Sequence, residues 1–149
     1  MDTRSEAGIK HITHNGHWEE DDMTSLLAHI RIRKGTEERW EATIREQVDR
    51  TLANETEVIR YKYWKGQAPL TYYALSFTSK LAFFEHQDAD YHRTPMLAEL
   101  TDNIRLEFLD PVEGTSPLPH TEDPPLPEDA EPDITEWETL TPIRMAPWW

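Results

Sequence analysis

The chain has 149 residues, no cysteine and a formal net charge of -14. That length suits one domain with a core that needs no disulfide, and the missing thiols exclude a disulfide framework, a thiolate nucleophile and a zinc-cysteine centre. The acidic balance argues against a nucleic-acid partner, because a phosphate backbone is bound by clustered Lys and Arg.

Residues 1–23 read as a polar N-terminal arm. Its opening lacks the apolar region of a secretory signal, and no apolar run in the chain approaches the ~18 residues of a membrane span. A cytoplasmic protein with no membrane partner is the expectation, and the lack of cysteine fits a reducing compartment. The arm holds His11, His14 and His17. Steps of three walk around a helix, and a strand turns His14 away from the other two. Neither geometry converges three nitrogens, so no metal is expected.

Residues 24–110 read as a compact domain. In SLLAHIRIR, Leu26, Ala28, Ile30 and Ile32 alternate with Leu27, His29, Arg31 and Arg33, the pattern of a half-buried strand. Lys34-Gly35-Thr36 turns the chain, and Thr36 is placed as an N-cap, with Glu37 and Glu38 in a first turn that favours acid. Trp40, Ile44, Val48 and Leu52 then form an i, i+4 stripe, predicting an amphipathic helix. In EVIRYKYWKG, Ile59, Tyr61 and Tyr63 alternate with Arg60, Lys62 and Trp64. After a turn at Gly66 to Pro69, LTYYALSFTS puts Tyr73, Leu75 and Phe77 on one face, and the two segments read as a hairpin. Ser79 is placed to cap a second helix, SKLAFFEHQ. Pro95 is placed to open a short one, PMLAEL. NIRLEFL closes the domain as a strand with Ile104, Leu106 and Phe108 together.

The predicted class is therefore α+β, a ferredoxin-like β-α-β-β-α-β antiparallel sheet with helices on one face. The other face is expected to carry His29, Arg31, Arg33, Trp64, Tyr72, Arg105 and Leu109. Such an aromatic surface calls for a cover, and a second subunit supplies one.

Residues 111–149 form an acidic, Pro-rich C-terminal arm, with nine of the eleven prolines and nine acids against the single base Arg144. Its first part has linker composition. Its end, ITEWETLTPIRMAPWW, is too apolar for a free tail, so the arm is expected to wrap over its own subunit or a partner.

The strand, Lys-Gly turn, long helix, tyrosine-bearing hairpin and LAFFEHQDADYHR together resemble the antibiotic biosynthesis monooxygenase family, whose members form a dimeric α+β barrel. Ala82 to His86 matches the family's Ala-x-x-x-His helix, His92 the second histidine, and Tyr61 a hairpin tyrosine. The likeness covers about residues 25–110. It departs at Leu75-Ser76-Phe77, where the family carries Glu-x-Trp, and at Thr56-Glu57-Val58, where a Gly is usual. The family's haem-degrading branch places an Asn, a Trp and an axial His where this chain has Ala28, Phe77 and Met96, so haem is not expected, nor any other cofactor.

The resemblance implies a homodimeric, cofactor-independent monooxygenase of a small aromatic or quinol-type substrate. Such a site needs a base, donors for a phenolate and an apolar cavity. The catalytic candidates are His86, His92, Tyr61 and Tyr73, and the substrate-binding candidates are Tyr63, Phe77, Phe83 and Phe84. His86 and His92, six residues apart, fall on different helical faces and are no metal pair. A cap at the helix end is the competing role for His86, and core packing for the tyrosines. The same groups also suit proton-transfer chemistry (isomerisation, dehydration or cyclisation). A non-catalytic dimeric binding protein is the third reading.

Overall fold

A computed structural model of the chain describes residues 3–4, 10–11, 23–54, 60–88, 99–115 and 117–148. Two short strands, β1 (Thr3–Arg4) and β2 (Lys10–His11), pair antiparallel near the start. The main body then runs β3 (Met23–Ile32), α1 (Glu37–Asn54), β4 (Arg60–Lys65), β5 (Thr71–Ser79), α2 (Lys80–Asp88) and β6 (Thr101–Leu109). This is the ferredoxin-like β-α-β-β-α-β order. The C-terminal arm adds α3 (Pro132–Leu140) and β7 (Ile143–Arg144), giving a five-stranded sheet of order β4-β5-β3-β6-β7. Of the predicted PMLAEL helix, only Glu99 and Leu100 lie among the described residues, and both are helical.

Local chemistry accounts for the punctuation. Gly35 turns the chain between β3 and α1 at φ 87°, where a side chain would be strained. Thr36 stands before α1, and its carbonyl accepts the Trp40 N–H at 2.8 Å, the first helical bond. Its hydroxyl, however, donates back to the Arg33 carbonyl at 2.6 Å instead of capping the helix amides. Ser79 does cap α2: its Oγ accepts the Ala82 N–H at 3.1 Å. Ser79→Ala should therefore cost about 1 kcal/mol, read as a lower urea midpoint with unchanged slope; an unmoved midpoint would remove the cap from the account.

The face of α1 differs from the expected stripe. The buried residues are Trp40, Ile44, Gln47 and Thr51, while Leu52 is 55% exposed. A helix turns 3.6 residues, so steps of four overshoot by about 40° each, and a stripe drawn from Trp40 has drifted about 120° by Leu52. Polar Gln47 and Thr51 take the inward places.

The ladder also overturns one strand face. His29 pairs with Tyr73 and with Arg105, while Ala28 pairs with Ala74 and Leu106. Opposed residues share a face, so Tyr73, Leu75 and Phe77 stand with His29 and Arg105 on the side away from α1 and α2. Tyr72, Ala74, Ser76 and Thr78 point toward the helices. Tyr72, expected on the open face, is buried against Trp40 and bonds Glu41 at 2.5 Å. With Tyr at both 72 and 73, a period-2 pattern does not choose a side; the register does, because a one-residue slip exchanges the faces.

Two apolar clusters fill the space between sheet and helices. Ile30, Ile32, Trp40, Ile44, Tyr61, Tyr72 and Leu100 form one. Leu26, Phe83, Phe84, Leu106, Phe108 and Ile134 form the other, with Trp137 and Ile143 packed against it. Ile134, Trp137 and Ile143 come from the C-terminal arm, which thus folds back on its own subunit. α2 is buried on most sides, Lys80 and His86 included, because the sheet covers one side and α3 the other. Polar contacts fasten the arm. Thr121 Oγ1 donates to the Leu109 carbonyl and accepts from the Ser25 N–H at 3.2 Å. Trp137 Nε1 donates to Asp88 Oδ1 at 3.0 Å. Lys80, 8% exposed, reaches Asp123 at 2.8 Å and Glu138 at 2.6 Å.

Candidate functional site

The centre of the helix-facing sheet surface lacks bulk. Ala28 faces Ala74, and Ser76 follows two residues along β5. Trp40 from α1, Tyr61 and Tyr63 from β4, and Phe83, His86 and Gln87 from α2 stand around these small residues and enclose a cavity of about 70 Å³. Its walls are mostly apolar, with Leu26, Ile30 and Leu106 among them. An engineered cavity of about 150 Å³ takes benzene. A ring therefore enters this one only as lining side chains shift.

The polar groups of the cavity are joined. The Tyr61 and Tyr63 hydroxyls lie 2.6 Å apart, and Gln47 Nε2 donates to the Tyr61 oxygen at 3.2 Å. The Tyr63 hydroxyl is desolvated even though part of its ring is exposed. Burial pushes its pKa up to about 12, against a smaller pull downward from the Tyr61 hydrogen bond, so it remains protonated at neutral pH. His86 is buried and stands edge-on to Tyr61, with ring centroids 4.9 Å apart. An imidazole within this cluster offers a base beside a phenolic donor.

Tyr63 also borders a second, outer groove of about 410 Å³ between α1 and β4, lined by Glu41, Arg45, Trp64, Lys65 and Tyr72 among others. There Glu41 binds Lys65 at 2.8 Å and accepts the Tyr72 proton. These contacts hold its carboxyl below the usual range, the Lys65 bond first, and burial followed by the Glu41 bond raises Tyr72 to about 12.

Of the residues singled out from the sequence, His86, Tyr61, Tyr63 and Phe83 meet in the cavity. Tyr73 and Phe77 do not. They lie on the opposite sheet face, Tyr73 edge-on to His29 with centroids 5.4 Å apart. Phe84 is fully buried in the core cluster beside the cavity and is not among its lining. His92 lies outside the described residues, as do Met96, His14 and His17. Trp40, Gln47 and Ser76 carried no functional signal in the sequence. Trp40 read as core, Gln47 fell beside the drawn stripe, and Ser76 mattered only once the register was known. Among the described residues no group of three or more His, Asp or Glu is placed to hold a metal, and no described helix is long and apolar enough to cross a membrane.

No protein-family model and no curated protein matches the chain. Solved structures do. A candidate antibiotic biosynthesis monooxygenase from Caulobacter crescentus CB15 superposes at a TM-score of 0.55 with 20% identity, over 62% of this chain and 92% of that one. A structure named simply as an antibiotic biosynthesis monooxygenase gives 0.54 at 16% identity, over 60% and 98%. This is the fold of the antibiotic biosynthesis monooxygenases. A Pseudomonas aeruginosa protein gives 0.54 at 18% identity, over 64% and 99%. The monooxygenase structures are spanned almost whole, whereas over a third of this chain lies outside each superposition. At such identities the likeness establishes the fold. Positions 75 and 77, where the family carries Glu and Trp, fall here on the sheet face away from α1 and α2, where Phe77 is nonetheless buried.

Proposed function

We propose that the chain is a cofactor-independent monooxygenase acting on a small aromatic or quinol-type metabolite. The observation that carries this reading is the Tyr61–Tyr63 hydroxyl pair beside buried His86 in a mostly apolar cavity. His86 takes the proton of a substrate hydroxyl, the Tyr63 hydroxyl at the end of the tyrosine pair holds the resulting oxyanion, and the apolar wall keeps water from competing. The electron-rich substrate then reduces oxygen. A hydroquinone would become a hydroxyquinone, one oxygen atom entering the ring while the two hydrogens it loses leave with the other as water. A phenol would become a quinone in the same way, the substrate itself supplying all four electrons.

Haem has no part in this proposal. A cavity of about 70 Å³ is small for a macrocycle, and Ala28 and Phe77, which stand at two of the haem branch's positions, face opposite sides of the sheet. The working form proposed is a homodimer in a cytoplasmic setting. Its support is the open sheet face, where Leu27, Tyr73, Leu75 and Leu109 are only part-covered and Trp64 is 56% exposed. Sedimentation should give a dimer, and a stable monomer would end that part of the reading.

Oxygen uptake with a panel of hydroquinones is the direct test. Uptake above the buffer rate, lost on denaturation, is expected; no uptake across the panel sinks oxygenation. The protonated Tyr63 hydroxyl favours one second reading, an isomerase or dehydratase that donates to an enolate oxygen. It would turn over without consuming oxygen.

A further inference from the structure

The Trp40 indole is 2% exposed, lines the cavity, and its Nε1–H has no hydrogen-bond partner among the described residues. A buried indole N–H usually finds a partner, and one left unpaired forfeits its hydration without compensation. The sheet beneath offers it none: Ala28, Ala74 and Ile30 are apolar, and Tyr72 is committed to Glu41. Trp40 instead stands edge-on to Tyr63, ring centroids 6.1 Å apart.

The hydroxyl chain ends on Tyr63, whose ring stands beside that of Trp40 in the wall of the same cavity. Gln47 Nε2 donates to Tyr61, and the bond between the Tyr61 and Tyr63 hydroxyls can run in either direction; the proposal takes the one in which Tyr61 donates. In this polarity the proton left over at the end of the chain is that of Tyr63.

We propose that Trp40 Nε1–H and the Tyr63 hydroxyl form a two-donor cradle for one anionic oxygen, so that the cavity selects a phenolate or enolate over a neutral ring. The proposal deepens the functional reading by naming what holds the substrate oxygen, and it rests on that reading only for the placement of substrate in this cavity. Hydrogen bonds to a charged oxygen are roughly twice as strong as those to a neutral one. Trp40 acts here as a binding residue, and Gln47, through Tyr61, as a positioning residue that sets the direction of the chain.

The probe is 4-nitrophenol, whose phenolate absorbs visible light, titrated into the full chain, Trp40→Phe and Tyr63→Phe. The wild type should bind the phenolate more tightly than the neutral phenol, so that the bound probe ionises at lower pH than the free one. Each substitution should weaken phenolate binding roughly tenfold or more while leaving binding of the neutral form within a few-fold. In nitrogen-15 spectra of the unmutated protein, the Trp40 indole resonance, assigned through its contact with Tyr63, should move downfield on saturation. This measurement stands even if Trp40→Phe fails to fold. An unmoved indole resonance, equal phenolate affinity in Trp40→Phe, or no binding by the wild type overturns the cradle. Selective phenolate binding without oxygen uptake from any quinol would overturn the oxygenase reading and leave the cradle standing.

Discussion

Lys80→Met should loosen the C-terminal arm and lower the stability of the whole chain by about 2–3 kcal/mol. Lys80 begins α2 and is nearly buried, yet its ammonium serves two carboxylates from the arm, Asp123 and Glu138, and the Pro124 carbonyl at 3.2 Å. Removing one partner of a buried ion cluster typically costs 3–5 kcal/mol. The lower figure applies because the Asp123 and Glu138 side chains are 34% and 43% exposed and can rehydrate in part. Methionine keeps the apolar stem, so the loss reports the charge. Urea unfolding gives the magnitude, and faster protease cleavage within residues 111–131 locates it. A variant equally stable and equally protected would show that apolar packing of Ile134, Trp137 and Ile143 alone holds the arm.

The same cluster sets an alkaline limit. Burial alone lowers the Lys80 pKa, but the Asp123 and Glu138 hydrogen bonds outweigh it, and the net shift is upward from 10.5. A group raised on folding contributes stability that is fully present below its unfolded pKa and lost as pH climbs through its folded one. Arm docking should therefore be insensitive to Lys80 through neutral pH and weaken above about 10.5. In Lys80→Met that alkaline step should be missing.

His86→Gln should cut turnover of a responsive quinol by roughly 10²–10⁴-fold, the usual contribution of a positioned general base, with the fold intact. Glutamine is close in reach and can hydrogen-bond, but it does not take up a proton near neutral pH. His86 packs between Tyr61 and Phe83, so a modest fall in melting temperature should accompany the loss. A rate within threefold of wild type would place the base elsewhere. A large loss of stability with unchanged rate per folded molecule would make His86 a core residue closing the end of α2.

How much of the site the sequence revealed can be judged residue by residue. Ala82 to His86 identified the segment that brings a histidine to the core, and the alternation of Tyr61 and Tyr63 set both on one side of β4. Tyr73 and Phe77 were equally plausible by composition and were misplaced, since alternation defines two faces and does not say which one the helices cover. Gln47 was hidden for a related reason: a stripe drawn in steps of four slides off the true inner face of a 3.6-residue helix.

The sequence by itself determined the kinds and order of the central elements, because hydrophobic period, Gly35 and the Ser79 cap are local signals carried in a few residues each. It also pointed to an arm that packs in part: Ile134, Trp137 and Ile143 do join the core cluster, whereas Leu140 and Trp148 stay exposed. Only the tertiary structure decided where that arm lies, which face of β5 meets the helices, and that a cavity remains where Ala28, Ala74 and Ser76 meet. Those outcomes depend on strand register and on contacts between residues up to about a hundred positions apart, such as Ser25 with Thr121. No local pattern encodes such pairings; they follow from the one arrangement that buries the apolar faces together and leaves few polar groups unpaired.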